Sequence, residues 1–235
     1  PEEKGINRVY WDFREMEPAA AAEMMAAAAS GRAAAFSGRG GLTVLPGKYT
    51  VKIKYEDQEV SQTFEVKPDP RVQVDLAVLK ANYEKAREAQ NLSRNLQTDS
   101  QRLQQTQRAF QTIREFARSQ RNQKMNEALK KLEAAEEKLK ELMEALNPTP
   151  PRQGLADRSA GLQSQVSSAV SGIIQGGYEP ITPTALEKYE NARKKFSEFA
   201  DRVNSFYEKD VAELNKSLQE AGFTLLQVYP PLRLE

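Results

Sequence analysis

The chain has 235 residues, with 34 basic and 33 acidic side chains that leave a net charge of +1. This length allows one or two domains, and the balanced charge gives no field that would attract nucleic acid or an anionic membrane. Because the sequence contains neither histidine nor cysteine, it excludes disulfides, thiol nucleophiles, imidazole bases and the usual zinc ligands. No apolar stretch reaches the ~18 residues that span a bilayer, so no membrane insertion is expected.

The first part of the chain carries the alternation that is typical of strands. Polar and apolar residues alternate within 5–14 and again within 48–55, which predicts two half-buried strands. A polar turn at 56–58 leads into a third alternating segment. Pro68 and Pro70 then end the sheet, because proline cannot donate to a ladder. The pattern predicts an antiparallel hairpin with at least one partner strand.

From Asp75 onward the apolar period is that of helices. The first stripe predicts one long helix or two collinear ones, with Thr98–Gln101 as a possible second start. The next helix has apolar residues at alternating steps of three and four, with Glu136 on the seam unless a slight rotation uses Ala135 instead. A proline-rich segment at 147–151 ends it.

Two further helices follow. A shorter amphipathic segment runs to Gly176–Gly177, and the last helix begins with Thr182 as N-cap and Pro183 at its first position. It ends at Gly222. Short connections between four helices predict an up-down bundle whose first and last members are long.

Three short segments together form a signature that resembles a known architecture: G-x-N-x-x-x-W-D-x-R at 5–14, P-G-x-Y-x-V at 46–51 and V-K-P-D-P-R at 66–71. The combination resembles the small immunoglobulin-like or fibronectin-like module near the C-terminus of bacterial secreted proteins with sortilin-like or neuraminidase-type (BNR) repeat propellers, which are labelled glycosyl hydrolase-like. A looser similarity exists to the Ig-like domain of flagellar hook-capping proteins. The positions that carry the resemblance are Asn7, Trp11, Asp12, Pro46, Gly47, Tyr49, Pro68, Asp69 and Pro70.

The resemblance implies an α+β chain built from a small antiparallel β-sandwich, Ig/FnIII-like, followed by a bundle of about four helices. The expected domains are a β module at 1–71 with an Ala-rich insertion at 18–36, and a helical bundle at 72–222. A C-terminal extension at 223–235 is expected to pack back on the domains, because it is too apolar for a free tail. The family is secreted, periplasmic or on the cell surface, although no signal peptide is seen at the charged start of this sequence.

Few residues suggest chemistry, and no catalytic, cofactor or metal site is predicted. The carboxylates are dispersed beside lysines on helix faces, as in a solvated surface, and acidic residues do not cluster as calcium requires. The Trp11–Asp12 pair is interpreted as a core tryptophan with an aspartate that faces away or caps a turn. Tyr10 and Tyr55 are the better candidates for a weak carbohydrate contact.

Three functions are compatible with this sequence. The favoured one is a non-catalytic C-terminal module that docks on an upstream propeller of the same parent chain and presents a helical scaffold, with any hydrolase chemistry lying in the parent. The second is a carbohydrate-binding module that assists a parental hydrolase. The third is a helical adaptor that binds another protein through a glutamine-rich face, and the glutamines of that face are Gln101, Gln104, Gln105 and Gln107.

Overall fold

The computed structural model shows an α+β chain, whose described residues form a two-stranded antiparallel sheet and four helices, the last of them interrupted by a π-helical turn. The residues that the structure describes are 8, 10–15, 41–55, 57–119, 123–148 and 161–222. Contacts divide the chain into two units, one of Pro1–Arg87 with Gly177–Pro180 and one of Glu88–Gly176 with Ile181–Glu235. Asn7, the Ala-rich insertion at 18–36 and the extension at 223–235 lie outside the described residues.

The first unit contains the predicted hairpin. Strand β1 (Gly47–Tyr55) pairs antiparallel with β2 (Gln58–Val66), and Ile53 lies opposite Val60. The alternation of polar and apolar side chains matches the pleat of both strands, so this part of the prediction is confirmed. Among the described residues the sheet has these two strands, and a β-sandwich is not seen in them.

The prediction of a regular strand before β1 was wrong for the described residues 10–15. This segment contributes a single antiparallel bridge, between Arg14 and Thr43. Phe13 has a φ of 58°, which takes the backbone out of the extended region. The Asp12 carboxylate accepts the Arg14 N–H at 3.2 Å. This local turn replaces the ladder that the alternation had suggested.

Helix α1 (Leu76–Ser119) is unbroken. Asp75 begins it, because its carboxylate accepts the backbone N–H of Ala77 at 2.8 Å. Of the two alternatives that the sequence left open, the single long helix is the one observed, and Thr98–Gln101 lie within it. From Ala89 onward the buried side chains recur at alternating steps of three and four residues. They are Ala89, Leu92, Leu96, Asp99, Leu103, Thr106, Phe110, Ile113 and Ala117.

Helix α2 (Gln123–Leu146) buries a seam with the same spacing. Its buried residues are Met125, Ala128, Leu132, Ala135, Leu139, Leu142 and Leu146. The rotation that places Ala135 in the core is confirmed, and Glu136 lies half-buried beside it. Its carboxylate pairs with Arg114 of α1. The negative charge of Glu136 therefore lies at the edge of the helix interface and not in the buried seam.

The remaining helices are α3 (Leu162–Ile174), α4 (Pro183–Ser205) and α5 (Ala212–Glu220). The π-helical turn Phe206–Val211 joins α4 to α5, so they form one long continuous helix. The predicted N-cap is confirmed, because the Thr182 hydroxyl accepts the N–H of Ala185 at 3.3 Å. The predicted end is confirmed too, because Gly222 has a φ of +84°.

Ion pairs fix the direction of α2 against this last helix. Lys138 pairs with Asp210 at 2.6 Å and Lys131 with Glu213 at 2.9 Å, so residue numbers fall along α2 as they rise along its neighbour. The two helices are antiparallel. Other contacts in this unit join Thr106 to Tyr207, Phe110 to Phe206 and Gln165 to Lys195. None of the described helices combines the length and the apolar character needed to cross a membrane.

Candidate functional site

The β-hairpin presents an apolar surface to solvent. Near the turn, one face carries Val51, Ile53 and Tyr55 from β1 and Val60 from β2, which we call the hairpin face. Their exposed fractions are 46%, 64%, 67% and 67%. Large apolar side chains that lie next to each other and remain exposed mark interaction sites more often than single exposed residues do.

The same side of the sheet is partly covered at its other end. Tyr49 of β1 lies opposite Phe64 of β2, and Trp11 contacts both rings, at centroid distances of 5.5 and 6.0 Å. Phe13 contacts Trp11 at 5.1 Å. Trp11 is still 40% exposed, so it forms one wall of an aromatic cluster and not the centre of a closed core.

The signature residues hold the entry to β1 and the exit from β2. The Tyr49 hydroxyl donates to the backbone carbonyl of Leu45 at 2.6 Å, across the turn that contains Pro46 and precedes Gly47. After β2, Asp69 between Pro68 and Pro70 forms a turn in which its carboxylate accepts from the Arg71 guanidinium at 2.6 Å and from the Arg71 N–H at 3.0 Å. The hydrogen bond from the guanidinium lowers the pKa of Asp69.

Two tyrosines in the first unit have raised pKa values. Burial and a hydrogen bond to Glu15 raise the pKa of Tyr83 to about 12. Burial, with a smaller effect from Glu15, raises the pKa of Tyr49. The shared cause is burial of the two phenols, with Glu15 as the common acidic neighbour.

The predicted carbohydrate-contact residues are both exposed, Tyr10 by 81% and Tyr55 by 67%. Among the described residues no ring contact joins them, and Tyr10 instead has its hydroxyl 3.4 Å from the guanidinium of Arg8. Tyr55 belongs to the hairpin face. Trp11 donates its indole N–H to the Arg14 carbonyl at 2.9 Å, so its polar atom is already used within the chain.

The second unit contains a residue that sequence reasoning did not single out. Asp99 is completely buried in the seam of α1, and neither of its carboxylate oxygens has a hydrogen-bond partner within the described part of the chain. Burial raises its pKa to about 6, against a smaller opposing effect from Arg102. The spacing of Leu96, Asp99 and Leu103 was the signal, but Asp99 lay within Thr98–Gln101, which the sequence offered as a possible second helix start.

A groove of about 500 Å³ lies between α1 and α2. Its floor is apolar, with Leu103 and Phe110, and its rim includes two of the predicted glutamines, Gln104 and Gln107. Gln101 and Gln105 are exposed but do not line this groove. The floor residues are almost fully buried against neighbouring helices.

The acidic side chains of both units are dispersed among the residues that the structure describes. Within those residues no group of three or more acidic side chains is placed to hold a metal ion. Comparison with family models, with curated proteins and with solved structures finds no match to this chain. The hairpin face is therefore the feature that offers most to a partner.

Proposed function

We propose that this chain is a non-catalytic structural and interaction module that docks on a larger parent protein through the hairpin face. The observation that carries the proposal is the exposure of Val51, Ile53, Tyr55 and Val60 on one side of a well-formed hairpin. Covering such an aliphatic side chain stabilises a complex by roughly 1.5–3 kcal/mol when the burial is complete. An isolated two-stranded hairpin is marginal in water, so a partner on this face would also stabilise the strands.

The parent that we propose is a secreted propeller protein of the sortilin-like or neuraminidase-repeat kind, labelled glycosyl hydrolase-like. The signature around Trp11–Asp12 and Pro46–Tyr49 supports this proposal through its resemblance to the module that follows such propellers. In this proposal the propeller is the partner on the hairpin face, the four helices act as a scaffold, and the protein works outside the cytoplasm.

The finer fold that we propose for the first unit is an Ig/FnIII-like β module. The bond from the Tyr49 hydroxyl to the Leu45 carbonyl at 2.6 Å supports it, because a tyrosine that bonds to backbone a few residues upstream is a hallmark of such sandwiches. A module of this kind needs more strands than β1 and β2.

The test measures binding of the full chain to the domain encoded immediately upstream in its gene, by isothermal titration calorimetry. Ile53→Ser and Val60→Ser should each weaken binding at least tenfold, because each removes a branched side chain from the contact. Thr50→Ser is the matched control, since Thr50 lies on the opposite face of the same strand and its substitution should leave the affinity unchanged. Unchanged binding in both face variants, or an upstream region without propeller blades, would contradict the proposal.

A carbohydrate-binding module is the second candidate, and the exposure of Tyr10 and Tyr55 favours it. A glycan array with the full chain distinguishes the two. If a glycan is bound and Tyr55→Ala abolishes that binding while Thr50→Ser does not, the carbohydrate function replaces the docking function. A chain that binds no glycan and hydrolyses no glycoside is the result that docking predicts.

A further inference from the structure

The edge of β1 that faces away from β2 combines backbone hydrogen-bonding groups with lysine side chains. β1 spans nine residues, and within the described part of the chain it forms a ladder with β2 alone. Among the described residues no strand pairs with the backbone groups that point away from β2, which is the arrangement that β-augmentation uses. The edge is long enough to give such a strand several hydrogen bonds.

The two strands differ in charge on the polar face of the hairpin. β1 places Lys48, Lys52 and Lys54 there, whereas β2 places Glu59 and Glu65. A strand added beside β1 would bring its side chains within about 5 Å of the lysine Cβ atoms on one face. On the other face it would lie against the apolar residues of β1.

Part of this charge is already neutralised inside the hairpin. Lys52 pairs with Glu59 at 3.2 Å, and Lys67 pairs with Glu65 at 3.8 Å. Among the described residues Lys48 and Lys54 have no ion-pair partner. The charge that remains to be matched is thus positive and lies along β1.

From this arrangement we infer that the edge of β1 accepts, as a third strand, an extended segment in which apolar residues alternate with acidic ones. The apolar side chains lie beside Val51, Ile53 and Tyr55 on the hairpin face, and the acidic ones lie beside Lys48 and Lys54 on the polar face. The inference rests on the proposed function, since it gives the chemistry of the partner that covers the hairpin face. An acidic strand places opposite charges beside Lys48 and Lys54, whereas a basic strand would place like charges directly opposite them, which is destabilising.

A second copy of the chain fits this edge less well. Pairing β1 with β1 of another copy would place lysines opposite lysines, which is a device that natural edge strands use against self-association. Pairing β1 with β2 of another copy would meet Glu59 and Glu65, which already have lysine partners. The acidic strand is therefore expected to come from a different sequence.

The experiment uses the full chain and two blocked nine-residue peptides matched to the length of β1, one alternating valine with glutamate and the other valine with lysine. Binding is measured by isothermal titration calorimetry, and the site by shifts of backbone amide signals in NMR spectra. We expect the acidic peptide to bind at least tenfold more tightly than the basic one, with the largest shifts in β1. The preference should weaken as salt is added.

The decisive variant is the double substitution Lys48→Glu/Lys54→Glu, which should reverse the order of the two peptides. Lys130→Glu/Lys188→Glu is the matched control, because it makes the same change of net charge at exposed helix positions. It should leave the preference for the acidic peptide in place. Equal binding of both peptides, shifts confined to β2, or a preference that the β1 reversal does not change would each overturn the inference.

The two proposals fail in different ways. If the upstream domain binds and Ile53→Ser weakens it, but Lys48→Glu/Lys54→Glu has no effect on either the domain or the peptides, the edge inference is refuted and docking through the hairpin face stands. If the acidic peptide binds with the expected charge reversal but the upstream domain does not bind, the edge inference is supported and the proposed docking on that domain is refuted.

Discussion

Asp99 should make the chain less stable at neutral pH than at acidic pH. Its folded-state pKa is raised by burial from 3.8 to about 6. A carboxyl whose pKa is higher in the folded state binds protons more readily there, so its contribution to stability falls as pH rises from about 4 to about 6. Above that range the free-energy cost of holding the ionised carboxylate in the core is constant, and below it the carboxyl is protonated and this cost is absent.

The size of the effect follows from the shift. The difference between a pKa of 3.8 and one of about 6 corresponds to roughly 3 kcal/mol of unfolding free energy. Structural relaxation and water penetration reduce the cost of a buried charge, so the expected effect is about 1–3 kcal/mol. Asp99→Asn removes the charge at nearly constant shape. It should therefore raise the free energy of unfolding at pH 7.5 by an amount in this range. Asp99→Leu should raise it further, because it restores an apolar residue to the seam between Leu96 and Leu103.

The assay is urea denaturation followed by far-UV circular dichroism, with each variant compared with the unmodified chain at pH 4 and at pH 7.5. The quantity of interest is the difference in unfolding free energy between variant and unmodified chain, because other carboxylates cancel in it. Asp201→Asn makes the same chemical change at an exposed position of α4 and should give a difference near zero at both pH values. A difference for Asp99→Asn that is the same at pH 4 and pH 7.5 would refute the reasoning.

Three further predictions concern single contacts. Gly41→Ala should disrupt the first unit, because a Cβ at Gly41 would lie 1.5 Å from the carbonyl oxygen of Glu15. Gly47→Ala is the control, since a Cβ there would have its nearest neighbour at 3.9 Å. Hydrogen exchange of the hairpin amides should be faster in Gly41→Ala and unchanged in Gly47→Ala. Tyr49→Phe removes a 2.6 Å hydrogen bond and should lower hairpin protection by about 1 kcal/mol; unchanged exchange would contradict its structural role. Thr182→Ala removes the N-cap of α4 and should cost about 1 kcal/mol in urea denaturation, whereas Thr182→Ser should cost much less.

The sequence predicted the hairpin closely, and the reason is local. Alternation within 48–55 and the polar turn after it depend on neighbouring residues alone, and the observed strands Gly47–Tyr55 and Gln58–Val66 follow that pattern. The segment before β1 shows the same alternation, yet Phe13 adopts a positive φ and the chain turns. A period of two does not report backbone strain, so the missing strand could not be read from it.

The helices show a second limit of pattern reading. The heptad in α2 left Glu136 and Ala135 as alternatives, and only the position of Arg114 on α1 explains why Glu136 lies at the edge. Asp99 was missed because an aspartate beside serine and threonine is typical of helix caps. Its burial is determined by the helices packed around α1, which the local sequence does not encode.

Asp99 and the hairpin face are both places where a residue does not suit its surroundings in the isolated chain. Such mismatches are expected where a protein gives up stability for another purpose. The two cases differ in what would relieve them. Substituting Asp99 should stabilise the chain without any partner, whereas burial of Val51, Ile53 and Val60 requires another surface to cover them. The hairpin face is therefore the better indication of function, since a binding partner would bury its exposed apolar side chains. The buried carboxylate of Asp99 needs no partner, because a single substitution within the helix removes it.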